Sequence, residues 1–302
     1  MQNGVKFLLD SGDPNEYKEI EPLAEKQGSK LWGSTTNPTL IAKKLAGKKV
    51  SQQEAFDLQK KLVMDILRLV PGAVSAEVFC EETTTGKEMA EQGRDISTWD
   101  KRVVVKLPTT KEGFIARTIL RKEKIPVNNT LVFSQAQIYA ICLHEQLAGQ
   151  TYGPINDLFP PFISPFVGRL DDIGEDGMNL VENGMRLKKT FPINIWMLEA
   201  SVRTVEHLKR GLRAKTELLT APNPVYKAWF ELSKQEQDEL DILSYAKKLK
   251  PIPYWSASNE VKNIKSIEDF DDAISSGILD ISHPLTEKGL LRFADDWKAI
   301  LI

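Results

Sequence analysis

Residues 102–133 read RVVVKLPTTKEGFIARTILRKEKIPVNNTLVF, in which two short runs rich in β-branched residues flank a longer stretch. The longer stretch has the apolar spacing of an amphipathic helix. Strands that are joined through a helix pair in parallel, because the return crossing needs a dozen or more residues. The segment therefore predicts one strand–helix–strand unit of a parallel sheet.

The same alternation extends over most of the chain. Eight β-rich runs recur, at residues 5–9, 30–33, 73–79, 102–107, 126–133, 162–167, 193–198 and 216–220. Eight such units predict an α/β fold, a single (β/α)8 TIM barrel over residues 1–224. An open, doubly wound sheet is the alternative, but its usual G-x-G-x-x-G fingerprint is absent after the first run.

The strand pattern stops after Pro224. Residues 225–250 predict one helix, Ser266 is expected to cap a short helix, and His283-Pro284 opens a final helix with apolar residues at helical spacing. We expect residues 225–302 to form a C-terminal helical extension packed on the barrel, and we assign it no catalytic role.

The charge balance disfavours polyanionic partners. The 302 residues include 40 Lys and Arg against 42 Asp and Glu, a net charge of -2, so the chain has no long-range attraction to nucleic acid or to an anionic membrane. Residues 1–10 contain too few consecutive apolar residues for a signal peptide or a membrane span.

Cysteine and histidine usage predicts neither a disulfide nor a metal site. Cys80 and Cys142 are far apart and form no C-x-x-C pair, which favours a reducing cytoplasm. His144, His207 and His283 are isolated, so surface or capping roles are expected rather than metal binding.

Lys106 is the central candidate for chemistry, because it ends an otherwise apolar strand. The carboxyl ends of the strands are where barrel enzymes carry their reactive groups. Desolvation there disfavours the ammonium form, and a neutral amine can attack a carbonyl to form a Schiff base. The alternative is a lysine whose head group only extends into water.

Charged residues at other strand ends give Lys106 suitable neighbours. Glu77 and Asp10 end the third and first runs and can act as acid/base groups, although either could simply pair with Lys106. Arg169 and Arg203 follow the sixth and seventh runs and resemble a phosphate clamp. Solvated surface arginines are the alternative reading.

Seven motifs at these strand ends resemble, in order, those of the transaldolases, which share a fold and lysine chemistry with the fructose-6-phosphate aldolases. They are FLLD at 7–10, GSTTNPTLI at 33–41, VSAEV at 74–78, VKLP at 105–108, NNTLVFS at 128–134, ISPFVGR at 163–169 and ASVR at 200–203. The resemblance runs to about Pro224, and the tail resembles the family only loosely.

The resemblance implies a role for each matching residue. It makes Lys106 the Schiff-base nucleophile, Asp10 and Glu77 the acid/base carboxylates, and Thr130 a hydroxyl that positions a catalytic water with Glu77. The remaining matches would bind substrate: Asn37, Asn128 and Ser164 at the dihydroxyacetone hydroxyls, Phe166 beside them, and Arg169, Ser201 and Arg203 at the phosphate.

The implied reaction moves a three-carbon dihydroxyacetone unit from a ketose phosphate, such as sedoheptulose 7-phosphate or fructose 6-phosphate, to an aldose phosphate, as in the pentose phosphate pathway. It needs no metal or organic cofactor, since the protonated imine accepts the electrons. The family often forms homodimers, but no residue pattern here identifies an interface. The expected partners are therefore small sugar phosphates.

Two rival functions stay open. Within the family, glutamate and phenylalanine at the positions of Glu77 and Phe166 are typical of the transferases, whereas the aldolases tend to glutamine and tyrosine, so transfer is favoured over aldolase cleavage. A barrel that binds sugar phosphates without turnover is the second rival. Residues 150–161 depart from the family pattern and lengthen the loop before the sixth strand, which leaves substrate choice and lid behaviour open.

Overall fold

A computed structural model describes residues 4–45, 47–155 and 157–302. Eight parallel strands form a closed barrel in sequence order, and β1 pairs with both β2 and β8. The predicted (β/α)8 fold is thus confirmed and the open-sheet alternative is wrong. The strands are β1 (Lys6–Asp10), β2 (Leu31–Thr35), β3 (Val74–Glu77), β4 (Val103–Pro108), β5 (Val127–Val132), β6 (Phe162–Pro165), β7 (Trp196–Glu199) and β8 (Leu218–Ala221).

Helices follow each strand, and side-chain caps fix where many of them begin. Ser51, Thr85 and Ser134 each form a capping box with the residue three positions later. The helices up to β8 are α1 (Pro14–Lys26), α2 (Pro38–Leu45), α3 (Gln52–Leu67), α4 (Gly86–Ser97), α5 (Lys111–Lys122), α6 (Gln135–Tyr152), α7 (Val167–Asp171), α8 (Gly177–Lys188) and α9 (Val205–Ala214). None of the helices in the described ranges has the length and apolar character needed to cross a membrane.

The alternation of side chains along each strand builds the barrel interior in layers. Leu8 of β1 and Val104 of β4 belong to one buried apolar cluster inside the barrel, whereas Val103 and Val105 pack outward against the helices. The residues two positions after the interior ones, among them Asp10 and Lys106, point the same way at the carboxyl end. The polar site is therefore a layer directly above an apolar floor.

The lengthened segment at residues 150–161 lies at the opposite end of the barrel from this polar layer. Phe159 packs edge-on against Trp32, with ring centroids 5.2 Å apart, and also contacts Trp196 near the start of β7. The reason is topological, since a loop that precedes a parallel strand sits at the amino end of the sheet. The described part of the segment thus closes the barrel floor and is not placed to act as a lid; Asn156 lies outside the described residues.

The prediction of one helix over residues 225–250 is wrong. The first helix of the tail ends before Leu232, whose ψ of 137° is extended, and Ser233 then caps a new helix in a capping box with Glu236. Asp241 caps a third by accepting from two backbone N–H groups. These caps compete with helix continuation. The tail helices are α10 (Asn223–Glu231), α11 (Lys234–Glu239), α12 (Ile242–Ala246), α13 (Asn259–Lys262), α14 (Ile267–Ser276) and α15 (Pro284–Lys298).

The last helix of the tail packs across the carboxyl end of the barrel. Ser266 caps α14 and His283 caps α15, as the sequence predicts. The Thr286 hydroxyl of α15 donates to the carbonyl of Leu131, which follows Thr130 in β5, at 2.9 Å. Trp297 is buried in an apolar cluster with Ile41 of α2. These contacts hold α15 over the barrel mouth, while the division of the chain at residue 224 stays a prediction.

Two of the three histidines are buried, so the expectation of surface or capping roles is wrong for them. His144 is fully buried, with its ring near Phe114 and Phe270 and its Nε2 within 2.8 Å of the Thr118 hydroxyl. His207 is also fully buried. Only His283 has the predicted capping role.

Candidate active site

Lys106 and Glu77 form a buried ion pair at the carboxyl end of the barrel. The Lys106 Nζ lies 2.9 Å from Glu77 Oε2 and donates a hydrogen bond to the carbonyl of Thr36 at 3.1 Å. Both side chains are almost fully buried, with 4% and 2% of their surface exposed. Burial raises the pKa of Glu77 more than the charge of Lys106 lowers it. Glu77 is therefore suited to accept a proton beside the Lys106 amine.

Strand register explains why this lysine meets this carboxylate. Glu77 of β3 stands directly beside Lys106 of β4, and Lys106 stands beside Asn128 of β5. Neighbours in register in parallel strands point to the same face of the sheet, so all three side chains enter the barrel. The side chain of Gln59 in α3 binds the Glu77 carbonyl at 2.8 Å and fixes the end of β3.

Asp10 belongs to a second polar group in the same layer. Its Oδ1 accepts a hydrogen bond of 2.7 Å from the Thr35 hydroxyl, which in turn lies 2.7 Å from the Thr220 hydroxyl. Burial raises the pKa of Asp10, against the opposing effects of Lys106 and Thr35. A carboxyl with a raised pKa is suited to exchange protons near neutrality.

Amide and hydroxyl groups line the other side of Lys106. Ser164 donates to Asn128 Oδ1 at 2.6 Å, and Asn128 Nδ2 donates to the Ser75 hydroxyl at 3.0 Å. Thr130, two residues after Asn128 in β5, is fully buried. Its hydroxyl has no hydrogen-bond partner among the described residues. An unpaired buried hydroxyl is costly, so this one is suited to a ligand.

A cavity of about 320 Å³ opens above Lys106. Asn37 lines it while its Oδ1 caps the start of α2 through the Leu40 N–H at 3.0 Å. Ser201 lines the far side in a left-handed conformation, with φ of 57°. The lining does not include Glu77, Asn128 or Thr130. Glu77 contacts the lining residue Lys106, and Asn128 contacts the lining residue Ser164. The lining also contains Asp10, Thr35, Lys43, Ser164, Phe166, Arg169, Arg203, Thr220, Arg292 and Phe293.

Arg169 lies between two aromatic rings at the cavity wall. Its guanidinium carbon is 5.3 Å from the ring centroids of both Phe166 and Phe293. Burial and the nearby charge of Arg292 lower the pKa of Arg169. Among the residues that the structure describes, no carboxylate forms an ion pair with it. A partly buried cation without a counter-ion is suited to bind an anion.

Arg203 reaches the cavity from the neighbouring unit but is held differently. Its guanidinium donates to Asp172 at 3.0 Å, and both side chains are about half exposed. The two arginines are nevertheless close, because the backbone N–H of Gly168 donates to the Ser201 carbonyl at 3.0 Å. A Cβ at position 168 would lie 2.4 Å from Arg203 Cγ, so only glycine permits this approach.

The sequence interpretation missed several residues of the cavity wall, among them Thr220, Lys43, Arg292 and Phe293. Thr220 could have been found, because it stands two positions after the interior residue Leu218 in β8. Arg292 and Phe293 carry no local signal, since only the packing of α15 brings them to the cavity. The sequence predicts the tail as an extension packed on the barrel, and the structure adds that its last helix contributes to the cavity wall.

A closed parallel barrel with ionisable groups gathered in a cavity at the carboxyl ends of its strands is the arrangement of (β/α)8 barrel enzymes. The acid, amine and guanidinium groups come from different strands and their loops, as such sites require. In the described ranges, no group of three or more His, Cys, Asp or Glu side chains is arranged to bind a metal ion.

Comparison with known proteins identifies the family. Residues 7–302 match the model of the transaldolase/fructose-6-phosphate aldolase family. A protein of Clostridium botulinum named "Probable transaldolase" is 35% identical over 243 residues, which cover 80% of this chain and 95% of that protein. One of the same name from Lactiplantibacillus plantarum is 31% identical over 296 residues, covering 98% and 97%.

The chain belongs to the transaldolase/fructose-6-phosphate aldolase family of enzymes. The match continues through the helical tail to residue 302. The family match thus includes the tail, for which the sequence motifs indicate only a loose resemblance.

Proposed function

We propose that this chain is a transaldolase that transfers a dihydroxyacetone unit between sugar phosphates through a Schiff base on Lys106. The main support is the buried Lys106–Glu77 pair beneath a cavity whose wall carries Arg169 and Arg203. The amine can react with a ketone at the bottom of the cavity while the guanidinium groups bind a phosphate at its rim.

The first step is attack of the Lys106 amine on the ketone carbon. Glu77, which touches Nζ, first takes a proton from the Lys106 ammonium to free the amine, and later takes the proton that nitrogen loses after the attack. It delivers both protons to the former ketone oxygen, which leaves the carbinolamine as water, so that an iminium ion with one hydrogen on nitrogen remains. The unpaired Thr130 hydroxyl, on the β5 side of Lys106, would orient that water together with Glu77. The same groups run the hydrolysis of the imine in reverse.

The second step breaks the bond between C3 and C4 of the ketose. Asp10 takes the proton of the C4 hydroxyl, and the C3–C4 electron pair moves into the iminium, which leaves an aldose phosphate and an enamine on Lys106. The enamine carbon then attacks the aldehyde of the acceptor, and Asp10 returns its proton to the new hydroxyl. The raised pKa of Asp10 suits both transfers.

Binding groups surround this centre. Asn37, Asn128 and Ser164 would hold the hydroxyls of the dihydroxyacetone unit, with Phe166 packed against it. Arg169, Ser201 and Arg203 would bind the phosphate. The absence of an internal carboxylate partner for Arg169 among the described residues supports that role.

The test is reduction with borohydride in the presence of fructose 6-phosphate. We expect a permanent mass increase of one reduced three-carbon or hexose adduct, mapped to Lys106 by peptide mass spectrometry. A protein that turns substrate over yet gives no adduct would contradict the Schiff-base mechanism. A protein that binds the sugar phosphate without adduct or turnover would support the binding-barrel rival instead.

A turnover assay with and without an aldose acceptor distinguishes the proposed transaldolase from the remaining rival, an aldolase. A transaldolase needs the acceptor, whereas an aldolase releases free dihydroxyacetone without it. Glu77 and Phe166 match the transferase pattern of the family and favour acceptor-dependent turnover. Acceptor-independent release at an equal rate would favour the aldolase.

Arg203→Ala is expected to raise the KM for fructose 6-phosphate by about tenfold or more, because a hydrogen bond to a charged phosphate contributes roughly 1.5–3 kcal/mol. The KM for unphosphorylated fructose should change little. Steady-state kinetics on both sugars make the comparison. Arg213→Ala, an exposed arginine of α9 outside the cavity lining, is the matched control, and equal effects of Arg203→Ala on both sugars would remove the phosphate assignment.

The pathway, location and assembly follow as part of the same proposal. The chemistry is that of the pentose phosphate pathway. A reducing cytoplasm is supported by Cys80 and Cys142, which are both buried and free. A homodimer stays a prediction from the family.

A further inference from the structure

The two arginines of the proposed phosphate site come from different βα units, so their spacing depends on what ties those units together. Arg169 is part of α7, and Arg203 precedes α9. Besides the close approach at Gly168, one side-chain network joins α7 to the backbone of Arg203. It consists of Asp171, His207 and Tyr245.

His207 is at the centre of this network. Its Nδ1 accepts a hydrogen bond from the backbone N–H of Arg203 at 3.3 Å, and its Nε2 lies 2.8 Å from Asp171 Oδ2. Because Nδ1 must accept, the neutral ring carries its proton on Nε2 and donates it to Asp171. The ring is fully buried, so water does not compete for these two contacts.

Asp171 is itself fixed from several sides. The hydroxyl of Tyr245, in α12 of the tail, donates to Oδ2 at 2.5 Å, and the backbone N–H of Gly177 donates to Oδ1 at 3.0 Å. Burial favours a raised pKa for Asp171, but the hydrogen bonds from His207 and Tyr245 outweigh it and lower that pKa. The carboxylate is therefore a stable anionic anchor two residues beyond Arg169.

We infer that His207 is a positioning residue, which links the Arg203 backbone to Asp171 of α7 and so sets the distance between the two phosphate-binding arginines. The inference rests on the proposed function for the identity of the anion. It differs from a purely packing role, because it requires the hydrogen bonds of both ring nitrogens. It also gives the tail a function at the site, through Tyr245.

A pair of variants separates the two ring nitrogens. Glutamine at 207 can reach Asp171 in place of Nε2 but offers no acceptor at the position of Nδ1. Asparagine places an oxygen near the position of Nδ1 but does not reach Asp171. We expect His207→Gln to raise both the KM for fructose 6-phosphate and the Kd for inorganic phosphate about five- to tenfold, the effect of one hydrogen bond.

The same variant should leave kcat and the KM for unphosphorylated fructose near the wild-type values. His207→Asn should weaken phosphate binding by a similar factor, because it keeps the acceptor for the Arg203 N–H but loses the contact with Asp171. Kinetics on both sugars and calorimetric titration with inorganic phosphate provide the data. A thermal unfolding curve for each variant measures any loss of stability separately.

Three results would overturn the inference: equal effects on both sugars, unchanged phosphate affinity in His207→Gln, or unchanged phosphate affinity in His207→Asn. Failure of the proposed function is distinguishable from these. In that case the wild-type protein itself would give no borohydride adduct with fructose 6-phosphate, while the phosphate titration would still compare the two variants.

Discussion

Lys106→Met is expected to give no borohydride adduct with fructose 6-phosphate and to turn over on the order of 10⁴-fold more slowly or worse, because the nucleophile is gone. Methionine keeps a stem of similar length in the buried position. Glu77 then loses its counter-charge, but burial already raises its pKa, so it takes up a proton rather than remain a buried anion. The variant should therefore fold, with an intact near-ultraviolet circular dichroism spectrum.

Lys106→Arg is the matched control for charge. It keeps a cation beside Glu77, whose Oε2 lies 2.9 Å from the Lys106 Nζ in the wild-type structure. A guanidinium, however, does not form a Schiff base. Both variants should therefore be inactive, although only one preserves the positive charge. Residual turnover within tenfold of wild type in either variant would contradict the role of Lys106 as nucleophile.

The part of the site that lies on strands could be predicted, because two short-range rules decide it. Alternation sends Asp10, Glu77 and Lys106 into the barrel, and parallel pairing brings the ends of neighbouring strands together. Both rules operate on a few residues at a time. A run such as VVVKLP therefore carries enough information to locate its own lysine.

The helix boundaries of the tail and its position on the barrel could not be predicted from these local rules. Caps at Ser233 and Asp241 divide a stretch whose apolar spacing alone favours one helix. The position of α15 depends on contacts such as Thr286 with the Leu131 carbonyl, which join distant parts of the chain. Local patterns predict that such a helix exists but not which surface it covers, and hence Phe293 at the cavity was missed.

His207, which lies beside the proposed phosphate site, illustrates the same limit. His207 has no metal-ligand spacing, so the sequence favoured a surface or capping role. Its partners are Asp171 from the preceding unit and Tyr245 from the tail, neither of which a local pattern connects to it. A polar residue at the apolar face of a helix is a weak signal, and only the assembled fold gives it a partner.

Glu77→Gln is expected to lower kcat for transfer by about 10²- to 10⁴-fold, the usual contribution of a positioned acid/base group. Glutamine has the same shape and remains beside Lys106, so packing and the KM for fructose 6-phosphate should change little. The nucleophile is intact. The borohydride adduct should therefore still form on long incubation, because imine formation is slowed but not prevented.

This combination distinguishes proton transfer from simple pairing of charges. If Glu77 only neutralised Lys106, the uncharged amide would leave turnover within a few-fold of wild type and would mainly change stability. If Glu77 exchanges protons during formation and hydrolysis of the imine, rapid-quench measurements should give slow appearance and slow decay of the adduct together. Asp10→Asn provides the comparison, because it should block cleavage of the C3–C4 bond while the imine with the intact ketose still forms at a normal rate.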